Sequence, residues 1–305
     1  MPAISVAPRT VSRATSRTPS RTVSRTAALT AAALLSAVAA LAAAPASQAA
    51  TGPAATGPGA SEPQAPGASY KAAHDTLGPQ RLTPAQKRLS AAKEAEATRG
   101  LDGVRTRAAL AGYKLSGGLH QSQKTSYWCG PATLVITQSA RDGVAGRSQQ
   151  DAATLLRTNS SGTAWYGVNI NVPNPTGYPM ADALNSRLPG AGYVPRALPY
   201  TPTATDKANF KQHITHNTDN DYAIAGNAWE VPGGPHLVGH PNVEIFHWVA
   251  IDGYNTDTAA DQVNYLDPVG GVSTSVISWA GSVPKSAHIS SDTITTIMGG
   301  RGYVW

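Results

Sequence analysis

One cysteine in 305 residues excludes an intramolecular disulfide framework and a cysteine-rich zinc site. Acidic residues are missing altogether from the first fifty positions, and the basic residues there are five arginines, Arg9, Arg13, Arg17, Arg21 and Arg25. Those five account for most of the formal net charge of +6, leaving the rest of the chain one charge from neutral. A basic nucleic-acid-binding surface is therefore not the theme of this protein. Large aromatics are equally uneven: both Phe and all six Trp lie at or beyond Trp128, and positions 1–115 hold only Tyr70 and Tyr113. Aromatic side chains dominate core burial, so the folded domain is expected to span 116–305, with no internal repeat.

What the first half does contain is ordered by composition. The arginines precede a charge-free Ala/Leu-rich run, 27–44, which closes on Pro45-Ala46-Ser47-Gln48-Ala49. A basic segment, an apolar segment and small residues at 47 and 49 describe a secretory signal peptide over 1–49, cleaved after Ala49. The run is nearly long enough to span a bilayer, and an organellar transit peptide shares its Arg/Ser bias. Its weak hydrophobicity and the lack of a basic flank on its far side favour export. The mature chain is then expected to be extracellular and off the membrane.

Gly, Pro, Ala and Ser dominate 50–70, a composition expected to be disordered linker. Thr83-Pro84-Ala85-Gln86 is a capping box with Pro at the first helical position and predicts a helix near 84–98. Its apolar stripe is thin, so it reads as a solvated or propeptide helix. On that reading 50–115 docks only marginally and is dispensable for catalysis.

Beyond 116, helical signals come first and strand signals second. Helices are expected over Pro131–Gln138, Ala152–Arg157, Met180–Leu188 and Asp206–His216. Strands are expected over Tyr222–Trp229, Phe246–Asp252, Gln262–Leu266, Thr293–Met298 and Gly302–Trp305. That order predicts an α+β domain, N-terminal helices packed on a C-terminal antiparallel sheet.

Three segments carry the chemistry. In Tyr127-Trp128-Cys129-Gly130-Pro131-Ala132 the proline belongs in a first helical turn, which puts the Cys129 sulfur at a helix N-terminus, where the dipole and free N–H groups favour a nucleophilic thiolate. Among eight histidines, His247 is the one embedded in a strand, Phe246-His247-Trp248-Val249-Ala250-Ile251, whose apolar neighbours would fix the ring. Asp267 completes the set by register. In an antiparallel hairpin turning near 257, His247 and Asp267 each lie ten residues from the centre and face one another. Pro268 ends the ladder there. Such a carboxylate would orient the imidazole. Asp252, before Gly253, reads as a turn residue instead. Gln123, six positions before the cysteine, is placed to offer its amide to an oxyanion. His236 and His240 have an i, i+4 spacing that on a helix would point to a metal. The glycines and prolines of 233–241 forbid a helix there, and the pair reads as a rim loop, so neither metal nor cofactor is expected.

The series Gln123, then Tyr127-Trp128-Cys129-Gly130-Pro131-Ala132, then Phe246-His247-Trp248-Val249-Ala250-Ile251-Asp252-Gly253-Tyr254, then Tyr265-Leu266-Asp267-Pro268 resembles the C39-like papain-fold cysteine peptidases in their soluble, secreted form. The resemblance covers about 116–305. It implies a papain-like fold and a peptide or protein substrate, with Cys129 as nucleophile, His247 as general base and acid, Asp267 as orienting residue and Gln123 as oxyanion donor. Transporter-fused members of that family cut double-glycine leaders. This chain shows no such fusion, and 118 positions separate its Cys and His, so their substrate groove does not carry over. A transpeptidase similar to phytochelatin synthase, a cell-wall amidase and a non-catalytic binding protein on the same scaffold remain alternatives.

Overall fold

The computed structural model describes residues 64–78, 81–104, 112–144 and 147–305, all within the compact unit Ala60–Trp305. The signal-peptide reading of 1–49 and the linker reading of 50–63 lie outside the described residues. In chain order the elements are α1 (Ala68–His74), α2 (Pro84–Val104), β1 (Tyr113–Leu115), α3 (Cys129–Asp142), α4 (Gln149–Leu156), α5 (Pro179–Arg187), β2 (Pro195–Ala197), α6 (Ala204–Asp219), β3 (Ile224–Glu230), β4 (Ile245–Asn255), β5 (Gln262–Leu266), β6 (Ser286–Ser290), α7 (Ser291–Ile297) and β7 (Gly302–Val304). The domain is α+β, with every strand pair antiparallel and the order β2-β7-β3-β4-β5-β6. β3 covers β4 as far as Ile251, and β1 takes over along Gly253–Asn255.

Alternation along the strands sends side chains into two cores. Ala225, Trp248 and Val304 pack with Leu134, Leu156, Met180 and Leu184 of α3–α5. Ile224, Val249, Ile251 and Tyr303 pack with Phe210 and Ile214 of α6 and with Ile294 and Ile297 of α7. The expectation of N-terminal helices on a sheet therefore captures one face, and α6 and α7 close the other. The segment Thr293–Met298, expected as a strand for its β-branched residues, is helical. Ile294, Ile297 and Met298 recur at helical spacing and are fully buried, and Thr295 and Thr296 return their hydroxyls to the carbonyls of Ser291 and Asp292.

The segment ahead of 116 also departs from expectation. β1 joins the sheet, and α1 and α2 dock on the domain through charged side chains. Lys71 Nζ donates to the carbonyls of Thr296, Ile297 and Gly299 at 2.9–3.1 Å, capping the end of α7. Asp75 accepts from Arg301 at 3.0 Å and from the Tyr200 hydroxyl at 2.8 Å. On α2, Ala97 is buried and Glu94 accepts from His213 Nε2 at 2.7 Å. Gln86 closes the anticipated capping box with Thr83. No helix among the described residues is long and apolar enough to cross a membrane.

Candidate active site

α3 begins at Cys129 itself. A closed start is possible because position 130 is glycine: a Cβ there would lie 2.2 Å from Thr163 Oγ1, so only glycine lets the 158–163 turn approach the helix N-terminus. The same turn is tied to β4 by Trp248 Nε1, which donates to the Thr163 carbonyl at 3.0 Å. Nucleophile candidate and histidine strand are thus braced by one loop.

β4 and β5 supply the other two groups, by a register that differs from simple hairpin counting. Ile251 pairs with Tyr265 and Ala250 with Leu266, whereas Gly253 pairs with Asn264, so Asp252 is a bulge. Continued past Leu266, this register sets Asp267 opposite Val249, two residues from His247 and on the same face. Without the bulge the register would shift by one and turn Asp267 to the opposite face. Asp252 is consequently not the turn residue expected. It lies inside β4, buried, accepting from Asn264 Nδ2 at 2.6 Å, and burial raises its pKa to about 6.

His247 Nε2 donates to Asp267 Oδ1 at 2.9 Å, both side chains almost wholly buried. The Cys129 sulfur is close enough to the same imidazole to raise its pKa, and with Nε2 committed to Asp267, Nδ1 is the ring nitrogen left for it. Burial disfavours charge on His247, but the Asp267 carboxylate, its hydrogen bond and the Cys129 sulfur outweigh that and hold the ring pKa well above its ordinary value. Burial likewise works against the Asp267 charge; His247 and His240 override it and keep the carboxyl below the usual range. Val269 N–H donates to Asp267 Oδ1, and His120 Nε2 meets the Asp267 carbonyl at 2.8 Å.

Gln123 sits beside them, its backbone N–H bonded to the Pro268 carbonyl at 2.7 Å. Its side chain is buried, with Nε2 donating to the Thr125 carbonyl and Oε1 unpaired. Gln123, Cys129 and His247 share one cavity of about 260 Å³, whose apolar wall comes from Phe246, Ile277 and Trp279. All four residues singled out from the sequence are therefore close neighbours.

Two functional candidates escaped the sequence reading. His240, expected on a rim loop, has a buried side chain with Nε2 3.0 Å from Asp267 Oδ2, and Glu230, at the end of β3, lies behind it. A loop of Gly and Pro gives no periodicity from which such burial could be read; the one available signal was an acidic residue ending a strand that is apolar but for Asn227. His240, His247 and Asp267 offer donor atoms within 4.8 Å of one another, a set that fits a divalent cation in residue type, but here both histidine Nε2 atoms are spent on the two oxygens of Asp267. Comparison with protein-family models and with curated proteins gives no match.

Proposed function

We propose that this protein is an exported cysteine peptidase whose 116–305 region, a papain-like domain, hydrolyses peptide bonds through Cys129, His247 and Asp267. The observation that carries the reading is a cysteine at a helix N-terminus that lines one cavity with a histidine, whose pKa its sulfur raises and whose Nε2 is held by a buried aspartate. A lone buried cysteine would need none of these partners.

In this mechanism the Cys129 sulfur adds to the scissile carbonyl carbon, its proton residing on His247 Nδ1. The oxygen of the tetrahedral intermediate takes hydrogen bonds from the Cys129 backbone N–H and from the second N–H of the Gln123 amide, since one bond to Thr125 leaves the other hydrogen free. His247 gives its proton to the leaving amine as the C–N bond breaks, leaving a thioester. Water, deprotonated by His247, then releases the carboxylic acid and restores the thiol. Asp267 holds the Nε2–H tautomer throughout. The uncharged aromatic and aliphatic wall suits a peptide with an apolar side chain next to the cleaved bond.

Incubating the full chain with a peptide mixture and reading new termini by mass spectrometry tests this. Wild type generates new carboxyl termini. Cys129→Ala, which removes little packing at a cavity edge, folds and generates none, a loss of at least about 10³-fold. Equal cleavage by Cys129→Ala overturns the thiol mechanism.

A further inference from the structure

We infer that Glu230 and His240 form a second carboxylate–imidazole pair behind the Cys129–His247–Asp267 set, and that they are positioning residues that lock Asp267 onto His247. The inference rests on the peptidase reading of that set.

The geometry fixes the state of His240. Its Nε2 is 3.0 Å from Asp267 Oδ2 and its Nδ1 2.8 Å from Glu230 Oε1, with all three side chains excluded from solvent. A neutral imidazole has one N–H and one lone pair, and a lone pair set against a buried carboxylate oxygen at such distances is repulsive with nothing to offset it. With both carboxyl groups ionised, only the doubly protonated ring satisfies them, and the bent Glu230 contact does not suit a carboxylic O–H donating to Nδ1. The Glu230 contact is off the line of a straight hydrogen bond, so charge holds it rather than direction. Glu230 Oε2 is itself held by His236 Nδ1 at 2.8 Å. The result is a continuous buried chain, Cys129–His247–Asp267–His240–Glu230, closed near the surface by His236.

The loop is shaped to deliver this ring. Gly239 has φ +84°, and a Cβ there would fall 2.2 Å from the Ser282 carbonyl oxygen, so no other residue fits one position before His240. Val238 N–H donates to the Tyr265 hydroxyl at 2.9 Å, pinning the loop to β5, and the Trp279 ring covers His240 at 4.6 Å between centroids. A buried acid–base–acid cluster costs desolvation that an apolar filling would avoid, so its placement against the free oxygen of Asp267 calls for a role there. With Oδ2 clamped by His240, Asp267 has only Oδ1 to give, and it gives it to His247. The other titratable groups facing the pair are His247 on β4, Tyr265 on β5, His236 on the loop, and Lys71 of α1, whose ammonium acts on Glu230 across the interface.

The test uses the full chain with ¹⁵N-labelled histidine and the rate of Cys129 alkylation by iodoacetamide at pH 7. The expected spectrum assigns N–H to both ring nitrogens of His240. His240→Ala is expected to slow alkylation about 10-fold, the worth of one charge-assisted hydrogen bond, and His240→Gln, whose amide can still donate to Asp267, to recover most of it. An unprotonated nitrogen on His240 at pH 7, or unchanged alkylation in His240→Ala, overturns the inference. Should His240→Ala fail to fold, the near-isosteric Glu230→Gln decides: its His240 ring is expected to lose the second proton at lower pH than in wild type, and an unchanged titration overturns the inference. If His247→Ala alkylates as fast as wild type, it is the peptidase reading that has failed, whatever His240 does.

Discussion

Two histidine–carboxylate pairs lie on opposite business of the same fold, and their chemistry diverges although their geometry is alike. His247 meets Asp267 at 2.9 Å and His213 meets Glu94 at 2.7 Å. Around His213 burial is the largest influence, Arg196 and Lys93 add to it, and Glu94 fails to compensate, so the ring pKa falls to about 4. That ring is neutral, donating from Nε2 to Glu94, accepting from the Tyr303 hydroxyl at Nδ1 and stacking on Trp305 at 3.4 Å. Every valence is used on the protein itself, and the pair fastens α2 to α6 and β7. Around His247 burial is overridden by an enclosed aspartate and a sulfur, and the ring faces a cavity. A histidine beside an acid is thus no functional signal by itself; the third neighbour decides whether the pair is a rivet or a proton carrier.

The comparison breaks most sharply by exchanging the acid for an amide. Asp267→Asn should cut peptide hydrolysis about 10³-fold, because the amide no longer selects the His247 tautomer. Steady-state kcat measures this, and a fall of less than tenfold would place Asp267 outside the mechanism. Glu94→Ala should leave kcat within about twofold and lower stability by about 1–3 kcal/mol, the range for stranding one buried polar partner. Urea unfolding beside an activity assay separates the two effects, and a large drop in kcat with unchanged stability would reverse the roles of the two pairs.

Smaller effects follow from pH. Between about 6.5 and 4 the unfolded chain binds a proton at His213 that the folded state excludes, so stability falls as pH drops through that window, by up to about tenfold in the folding constant per pH unit. His247 and His240 have the opposite sign: raised above 6.5 when folded, they stabilise fully below that pH and the contribution is lost as pH rises through their folded values. His213→Asn should make the acid limb of a urea-midpoint profile shallower, and Asp267→Asn the alkaline limb. Parallel profiles in both variants would mean the two histidines do not differ as described.

How far the sequence reached depends on the range of the interactions involved. Cys129 at a helix start is local information, carried by the neighbouring Gly-Pro. The His247–Asp267 neighbourhood followed from hairpin symmetry, yet the actual pairing lies two positions from the symmetric count; the one-residue bulge at Asp252 makes that offset even, and an even offset preserves the face. The Thr293–Met298 helix was hidden by β-branched propensity, which tertiary burial of Ile294 and Ile297 overrides. Docking of α1 and α2 was illegible because it runs mainly through long-range polar pairs, Lys71 with the end of α7 and Asp75 with Arg301 for α1 and Glu94 with His213 for α2, rather than a broad apolar stripe. His240 was illegible for the same reason: nothing within a Gly/Pro loop announces that one of its rings will meet two carboxylates from distant strands.

The central claim is that Cys129 is a nucleophile because His247 serves it, and labelling with peptidyl vinyl sulfones bearing apolar side chains tests this most directly. The thiolate adds to the vinyl carbon and the histidine's proton completes the adduct, so intact-mass and peptide mapping should find one adduct, on Cys129, in wild type. His247→Ala should be labelled at least about tenfold more slowly under the same conditions. Labelling of His247→Ala at the wild-type rate would contradict the account.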